Sequence, residues 1–357
     1  MTARLLQGSD AISESAIAAG CRFFAGYPML PFTHLLESFA KRMPEVSGTC
    51  MNAASENEAA NMALGAAAAG ARVGTGSCGQ GIALMQETIA EAALCQLPVV
   101  VFLMARGQQD YFQATRGGGW GDYRTPTLAP KNVQEAADYT QDLFHLADKY
   151  RTPVILYGDY LIADMQVSVD LAPREFEPLP PKDWALDGSL GGTRRSRSIW
   201  SWDKGKFGAL GNDPDKHWRK VAAKYDDIAT AESRHEARFA DDSDFLVVSF
   251  GTSAAFVDYV VDELRAEGVR VGSFRPVTLW PFPEEALHAA AAGKKSVLVF
   301  EANAGQMIDD VRLSVRDSAP VEKIGGVSVD HSGMRQGELL NVAPIRERIV
   351  RAIAERS

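Results

Sequence analysis

The chain has 357 residues, 46% of them hydrophobic and 23% charged, which predicts two to three ordinary globular domains with a real apolar core. A formal net charge of −9 leaves no sequence-wide basic field to attract nucleic acid. No window approaches the ~18 consecutive apolar residues of a membrane helix, and the opening MTARLLQGSDA lacks the apolar core of a secretion signal, so no membrane association and a cytoplasmic location are expected.

In chain order, Ser9 is placed to cap a helix over 10–19 that Gly20 ends, and CRFFAG reads as a short buried strand. GYPMLP follows as a proline-stiffened turn, then an amphipathic helix over 34–42 and a strand over 48–51. Ser55-Glu56-Asn57-Glu58 is a capping-box pattern opening an Ala-rich helix. ARVGTGS (strand and turn), GIALMQETIAEAALCQ (helix), LPVVVFLMA (strand), VQEAADYTQDLFHLADKY (helix) and TPVILYGD (strand) continue the alternation to about residue 165. Such alternation predicts a parallel, doubly wound α/β layer. Ligands in these layers bind at the carboxyl ends of strands, here GYPMLP, TGSCGQG and ARGQQDY.

The expected organisation is an α/β domain over 1–170, a Pro-rich linker with a charged helix over 171–240, and a second, smaller α/β domain over 241–357. The charged helix is placed over 215–238, and the C-terminal VAPIRERIVRAIAERS is an amphipathic helix. The one basic cluster, TRRSRS at 193–198, reads as a surface or interface loop. Cys21, Cys50, Cys78 and Cys95 form no CxxC and suit neither zinc nor an iron–sulfur cluster, so they are expected to be buried small hydrophobes in a reducing compartment. The six histidines have no metal-ligand spacing.

The stretch Asn52 to Gly81 is mostly Ala and Gly, with Glu56 and Glu58 at its entrance. Taken alone, an acid in a first helical turn complements the helix dipole, and Gly79-Gln80-Gly81 after a strand is a tight turn.

Three stretches carry a wider likeness: AGCRFFAGYPMLP, SENEAANMALGAAAAGARVGTGSCGQGIALMQE and DYFQATRGGGWGDYR, with TLWPFP and EANAGQM further on. With these the chain resembles, nearly end to end and including PPKDWAL, the alpha subunit of thiamine-diphosphate-dependent 2-oxoacid:ferredoxin oxidoreductases, in the 2-oxoisovalerate and 2-oxoglutarate branch. The resemblance implies a thiamine pyrimidine-binding domain followed by a transketolase C-terminal-like domain. It implies a beta subunit holding the diphosphate, Mg2+ and a [4Fe-4S] cluster, a gamma subunit, and often a ferredoxin-like one. The lack of cluster cysteines agrees with that division, since electrons would leave through another chain.

By the same resemblance Glu56 is the carboxylate bonded to the aminopyrimidine ring nitrogen, favouring the form that takes the thiamine C2 proton. A dry cleft of small residues suits that bond and lets a flat ring approach. Tyr27, Pro28, Gly79 and Gly81 are expected against the cofactor, Arg106 at the substrate carboxylate or keto oxygen, and Glu58 only in the capping box. Asn303, Gly305 and Gln306 are either a pocket rim, a subunit contact or plain packing. Asp110, Asp122, Tyr123 and Arg124 flank the pocket segment.

Four departures stand out. Gln80 replaces the usual Pro, Leu30 stands where relatives have a Thr that bonds in the pocket, the loop after Arg106 is shortened, and Trp120 stands where His is common. Leu30, the shortened loop and Trp120 together predict a less polar, larger substrate pocket, for an aromatic or branched 2-oxoacid. The expected reaction is coenzyme A-dependent oxidative decarboxylation to an acyl-CoA with electrons passed to ferredoxin or a similar acceptor. A non-oxidative decarboxylase subunit and a non-catalytic partner-binding paralogue are the alternatives.

Overall fold

The computed structural model describes residues 3–186, 214–333, 335 and 337–356. TRRSRS and the other loop segments between 187 and 213 lie outside the described residues.

The first half runs β1 (Arg4–Gln7), α1 (Gly8–Ala18), β2 (Phe23–Gly26), α2 (Phe32–Arg42), β3 (Thr49–Asn52), α3 (Glu56–Ala68), β4 (Val73–Ser77), α4 (Gly79–Leu94), β5 (Val100–Ala105), α5 (Tyr111–Thr115), β6 (Thr127–Leu128), α6 (Val133–Tyr150), β7 (Val154–Asp159), α7 (Tyr160–Asp164) and β8 (Gln166–Val169). The second runs α8 (Pro214–Ala231), β9 (His235–Arg238), β10 (Phe245–Val248), α9 (Gly251–Ala266), β11 (Val271–Pro276), β12 (Thr278–Trp280), α10 (Glu284–Ala291), β13 (Ser296–Val299), α11 (Met307–Val315), β14 (Val321–Lys323) and α12 (Val342–Ala354).

Two α/β sheets carry the molecule. The first has seven strands in the order β12-β6-β7-β5-β4-β2-β3, parallel except for β12; the second has five in the order β14-β13-β10-β11-β9, parallel except for β9. Both faces of β4, β5 and β7 are buried, which is why these strands read as continuous apolar or small-residue runs. The Ala-rich α3 packs on α4 through Ala60, Ala63 and Ala67, a close approach that larger side chains would prevent.

Three local expectations differ. The first helix begins at Gly8 rather than at a Ser9 cap. A Cβ on Gly8 would sit 1.6 Å from the Ile162 carbonyl oxygen, so glycine admits the α7 backbone there, and Ser9 Oγ donates to the Ala163 carbonyl from inside the helix (3.0 Å). The charged helix stops at Ala231, and His235–Arg238 is instead an edge strand antiparallel to β11. Charge spacing could not reveal this, because that strand's ion pairs come from other elements. The β1–β8 ribbon is an addition with no strong apolar alternation to announce it.

The segment 170–186 is irregular and runs over the first domain. Arg174 pairs with Asp142 and Lys182 with Asp148, the Arg151 guanidinium lies 4.5 Å from the Trp184 ring centroid, and Leu186 N–H donates to the Ala68 carbonyl.

The two sheets are tied by buried charge. Arg275 on β11, 2% exposed, binds both oxygens of Glu135 on α6 (2.8 and 3.0 Å) and Glu236 on β9 (2.8 Å). Lys131 reaches Glu236 and Asp258 (2.7 and 3.1 Å). Truncating one partner of such a group strands the others, so Arg275→Ala should cost about 3 kcal/mol, read as an earlier urea midpoint.

Candidate active site

In the first sheet β2 lies between β3 and β4, so the winding reverses between β2 and β4. A crevice opens at the carboxyl ends of strands at such a reversal. The turn Tyr27–Pro31 leaves β2 there, Cys78–Gly81 leaves β4, and α3 begins just after β3.

Ser55 caps α3 by accepting the Glu58 N–H (3.2 Å), and Glu58 returns a carboxylate oxygen to the N–H of Ala54, one residue before the cap (2.7 Å), a variant of the capping box. Glu58 therefore does the local work at the helix end. Glu56, in the same turn, points inward: it is 3% exposed and its Oε1 is buried with no hydrogen-bond partner among the described residues. An unpartnered buried acceptor costs about 1–3 kcal/mol, more when charged, and asks for a donor the chain does not supply.

Against Glu56 lies Gly81. A Cβ there would sit 2.8 Å from Glu56 Cγ and 2.0 Å from Ser77 Oγ, so only glycine fits. Gly79 starts α4 at φ +45°, with open space where a side chain would go. Its N–H donates to Asp110 Oδ2 (3.1 Å). Cys78, fully buried, donates its Sγ–H to the Leu30 carbonyl (3.2 Å), and burial pushes its thiol up to about 11. The same carbonyl accepts from Arg106 Nε (3.0 Å), which holds the half-buried guanidinium against the turn after β2. Asp110 is 6% exposed, and burial raises its carboxyl above the usual range against the opposing hydrogen bonds from Gly79 and Gln113.

The structure thus brings Leu30, Glu56, Cys78, Gly79, Gly81 and Arg106 to one crevice, with Tyr27 half-buried and Pro28 exposed on the turn at its edge. Trp120 lies apart. Its N–H meets Glu87 (3.4 Å) and its ring meets Trp218 edge-on (5.5 Å), about 12 Å along α4 from Gly79, and it is 62% exposed. Asn303 and Gln306 bind the 108–112 segment of the first domain, so they are packing between the sheets. Tyr123 holds the 117–119 loop, its hydroxyl accepting from the Gly118 and Gly119 N–H groups. Sequence reasoning passed over Ser77 and Gln108. Ser77 is signalled only as a small polar residue at a strand end, and Gln108 by nothing local. Among the described residues no cluster of three His, Cys, Asp or Glu is placed to hold a metal, and no helix is long and apolar enough to cross a membrane.

A switch-point crevice with a dry, unpartnered glutamate and a bare glycine wall fits the aminopyrimidine side of thiamine diphosphate, whose ring nitrogen is a donor to a carboxylate once protonated and whose face is flat. Glu56 would hold the ring, and Gly79 and Gly81 would lie against it. This defines the pyrimidine half of a thiamine-dependent enzyme.

The comparisons agree. Residues 14–185 match the model for the thiamine-diphosphate-binding domain of pyruvate flavodoxin/ferredoxin oxidoreductases, and 243–334 match core domain II of pyruvate:ferredoxin oxidoreductase. Ketoisovalerate oxidoreductase subunit VorB of Methanothermobacter marburgensis is 36% identical, covering 91% of this chain and 94% of that one. 2-Oxoglutarate synthase subunit KorA of Methanothermobacter thermautotrophicus is 34% identical, covering 90% and 94%. A solved 2-oxoglutarate:ferredoxin oxidoreductase from Magnetococcus marinus, with 2-oxoglutarate, coenzyme A and succinyl-CoA bound, superposes with a TM-score of 0.82 at 26% identity. The match covers 98% of this chain but 65% of that longer one, just under two thirds. A split-gene transketolase shares the fold alone (TM-score 0.60, 14% identity). The chain belongs to the thiamine-diphosphate-dependent 2-oxoacid:ferredoxin oxidoreductase family, as a subunit of the kind that VorB and KorA represent.

Three outcomes follow from the crevice. Gly81→Ala should abolish thiamine diphosphate binding by the assembled enzyme, measured by calorimetry, because its methyl group has no room. Gly79→Ala, in open space, should cost only the ~1 kcal/mol of a left-handed non-glycine residue and retain measurable binding. Cys78, neutral at pH 8 and buried, should be alkylated by iodoacetamide at least about a hundredfold more slowly than a free cysteine, as followed by mass spectrometry.

Proposed function

We propose that this chain is the alpha-type subunit of a multi-subunit 2-oxoacid:acceptor oxidoreductase. The complex would convert an aromatic or branched 2-oxoacid and coenzyme A to acyl-CoA and CO2, passing two electrons to ferredoxin or a similar acceptor. The observation that carries this reading is the buried Glu56 oxygen with no partner, set against Gly81 in the crevice of the first sheet. A beta subunit supplying the diphosphate site, Mg2+ and the [4Fe-4S] cluster would close the crevice, with a gamma and a ferredoxin-like subunit completing the complex. The chain alone would then be inactive.

When bound, thiamine diphosphate supplies the carbon nucleophile that the side chains lack. This chain's residues do the rest of the work on its pyrimidine side. Glu56 would hold the protonated ring nitrogen in a dry setting, where such a bond is stronger than in water, and would thereby orient the exocyclic amino group. Gly81 keeps the wall bare. Arg106, held by the Leu30 carbonyl, meets the substrate's carboxylate, which leaves as CO2. The Leu30 side chain gives the pocket an apolar wall where a hydroxyl would favour a polar acid. Trp120 can contribute only if a partner chain covers the face on which it is exposed.

The test is 2-oxoacid-dependent viologen reduction by the co-expressed complex. Glu56→Gln should lose at least about a hundredfold in turnover; equal activity in wild type and variant would return Glu56 to a helix-end acid. Wild type should prefer aryl or branched acids, and Leu30→Thr should shift the preference toward 2-oxoglutarate by about tenfold. A wild-type preference for 2-oxoglutarate would refute the apolar-pocket reading.

A further inference from the structure

The reversal of winding in the second sheet falls between β10 and β13. Its crevice, at the Phe250–Gly251 and Glu301–Gln306 turns, is filled by the first domain itself. Gln108, 2% exposed, accepts the Ala302 N–H on its side-chain oxygen (2.6 Å) and donates its amide to the Phe250 carbonyl (2.9 Å). Its own carbonyl accepts from Asn303 Nδ2 (2.8 Å). Gly251 at φ +58° brings the second domain's backbone close, with a Cβ position 3.8 Å from the Gln108 amide.

The neighbours follow suit. The Gln109 carbonyl accepts from Gln306 Nε2 (2.8 Å), the Phe112 N–H donates to Gln306 Oε1 (2.9 Å), and the Tyr111 hydroxyl donates to Asp310 (2.6 Å). The receiving turn is itself fixed. The fully buried Glu301 carboxylate accepts the N–H groups of Gln306, Met307 and Ile308 at 2.8–3.1 Å.

In the run 108–112, then, four residues are gripped by the second domain, and the side chain of the fifth turns the other way. Asp110 faces the first domain's crevice and takes the Gly79 N–H on one oxygen and Gln113 Nε2 on the other (3.1 and 3.0 Å). Cys78, at the N-cap position of α4, makes no side-chain cap bond, so Asp110 supplies that cap from another element. Gly81, two residues beyond Gly79, is the wall on which Glu56 rests.

We propose that Asp110 is a positioning residue for the Gly79–Gly81 turn, and that the second domain sets its position through Gln108 and Gln306. This rests on the reading of that turn as the thiamine-facing wall. It gives the second domain a part in the site through a residue of the first.

The experiment is thiamine diphosphate binding to the assembled complex by calorimetry, with the melting temperature of the cofactor-free complex and the 2-oxoacid KM at saturating cofactor as companions. Asp110→Ala should weaken cofactor binding about tenfold or more, the worth of one charge-assisted hydrogen bond, with the 2-oxoacid KM within about twofold of wild type. Asp110→Asn, which keeps an acceptor for Gly79, should recover most of the affinity. Gln306→Ala, which touches neither Gly79 nor Glu56, should weaken binding in the same direction by about threefold. A purely structural cap would lower the melting temperature of the cofactor-free complex and leave the affinity unchanged, and that result overturns the proposal. If Asp110→Ala does not assemble, Asp110→Asn and Gln306→Ala decide by the same criterion. Glu56→Gln run alongside separates the two levels. Loss of turnover in Glu56→Gln with wild-type affinity in the Asp110 and Gln306 variants refutes only the positioning role. Undiminished turnover in Glu56→Gln refutes the thiamine reading beneath it.

Discussion

The insertion of Gln108 into the second sheet's crevice is the contact on which the rest of the molecule turns. A backbone segment leaving a buried strand must satisfy its polar groups somewhere; the Gln108 and Gln109 carbonyls and the Phe112 N–H do so across the domain boundary, while the carbonyls of 110–112 bond within the turn of α5. The loop after Arg106 is short, so there is little slack between the end of β5 and the point where the second domain takes hold. A longer loop would leave Asp110 and Arg106 to find their own positions; a clamped one gives both a fixed address relative to β4 and β2. The Arg275 and Lys131 ion-pair group adds a second tie between the sheets.

The site shows a division of labour between two acids two residues apart. Glu58 satisfies the end of α3, which releases Glu56 from that task. A carboxylate oxygen buried without a partner is a poor choice for stability and persists where a ligand completes it. Around it the chain has removed everything that would get in the way: alanines on α3, glycines at the mouth of α4, and a serine hydroxyl lying where Gly81 leaves room. The small-residue composition of this stretch serves both close helix packing and access to a flat ring.

Much of this was legible in the sequence, because the strands of a parallel sheet are apolar throughout and its turns are marked by Gly and Pro. The capping box of Ser55 and Glu58 was legible too, since both partners lie in one turn. The direction in which Glu56 points was not in the local pattern, where a dipole acid serves equally well; the family resemblance suggested it. Ser9 misled because a good cap residue within a helix looks the same as one at its start, and only the approach of α7 to Gly8 distinguishes them. His235–Arg238 misled because its charges are answered by Lys131, by Arg275 on β11 and by Asp258 and Asp262 on α9. Gln108 gave no signal at all, since its three hydrogen bonds go to residues between 142 and 195 positions away.

The path of β12 has a consequence for how the molecule is made. Residues 278–280 leave the second sheet's winding and pair with Thr127 and Leu128, closing the outer edge of the first sheet. During synthesis that edge stays open until the ribosome has passed residue 280 and released it, long after β2, β4, β5 and β7 have emerged. Until then the nascent chain presents an unpaired strand and an incomplete apolar layer. The N-terminal half therefore reaches its final form only with material from the C-terminal half, and the two are one folding unit despite having two sheets.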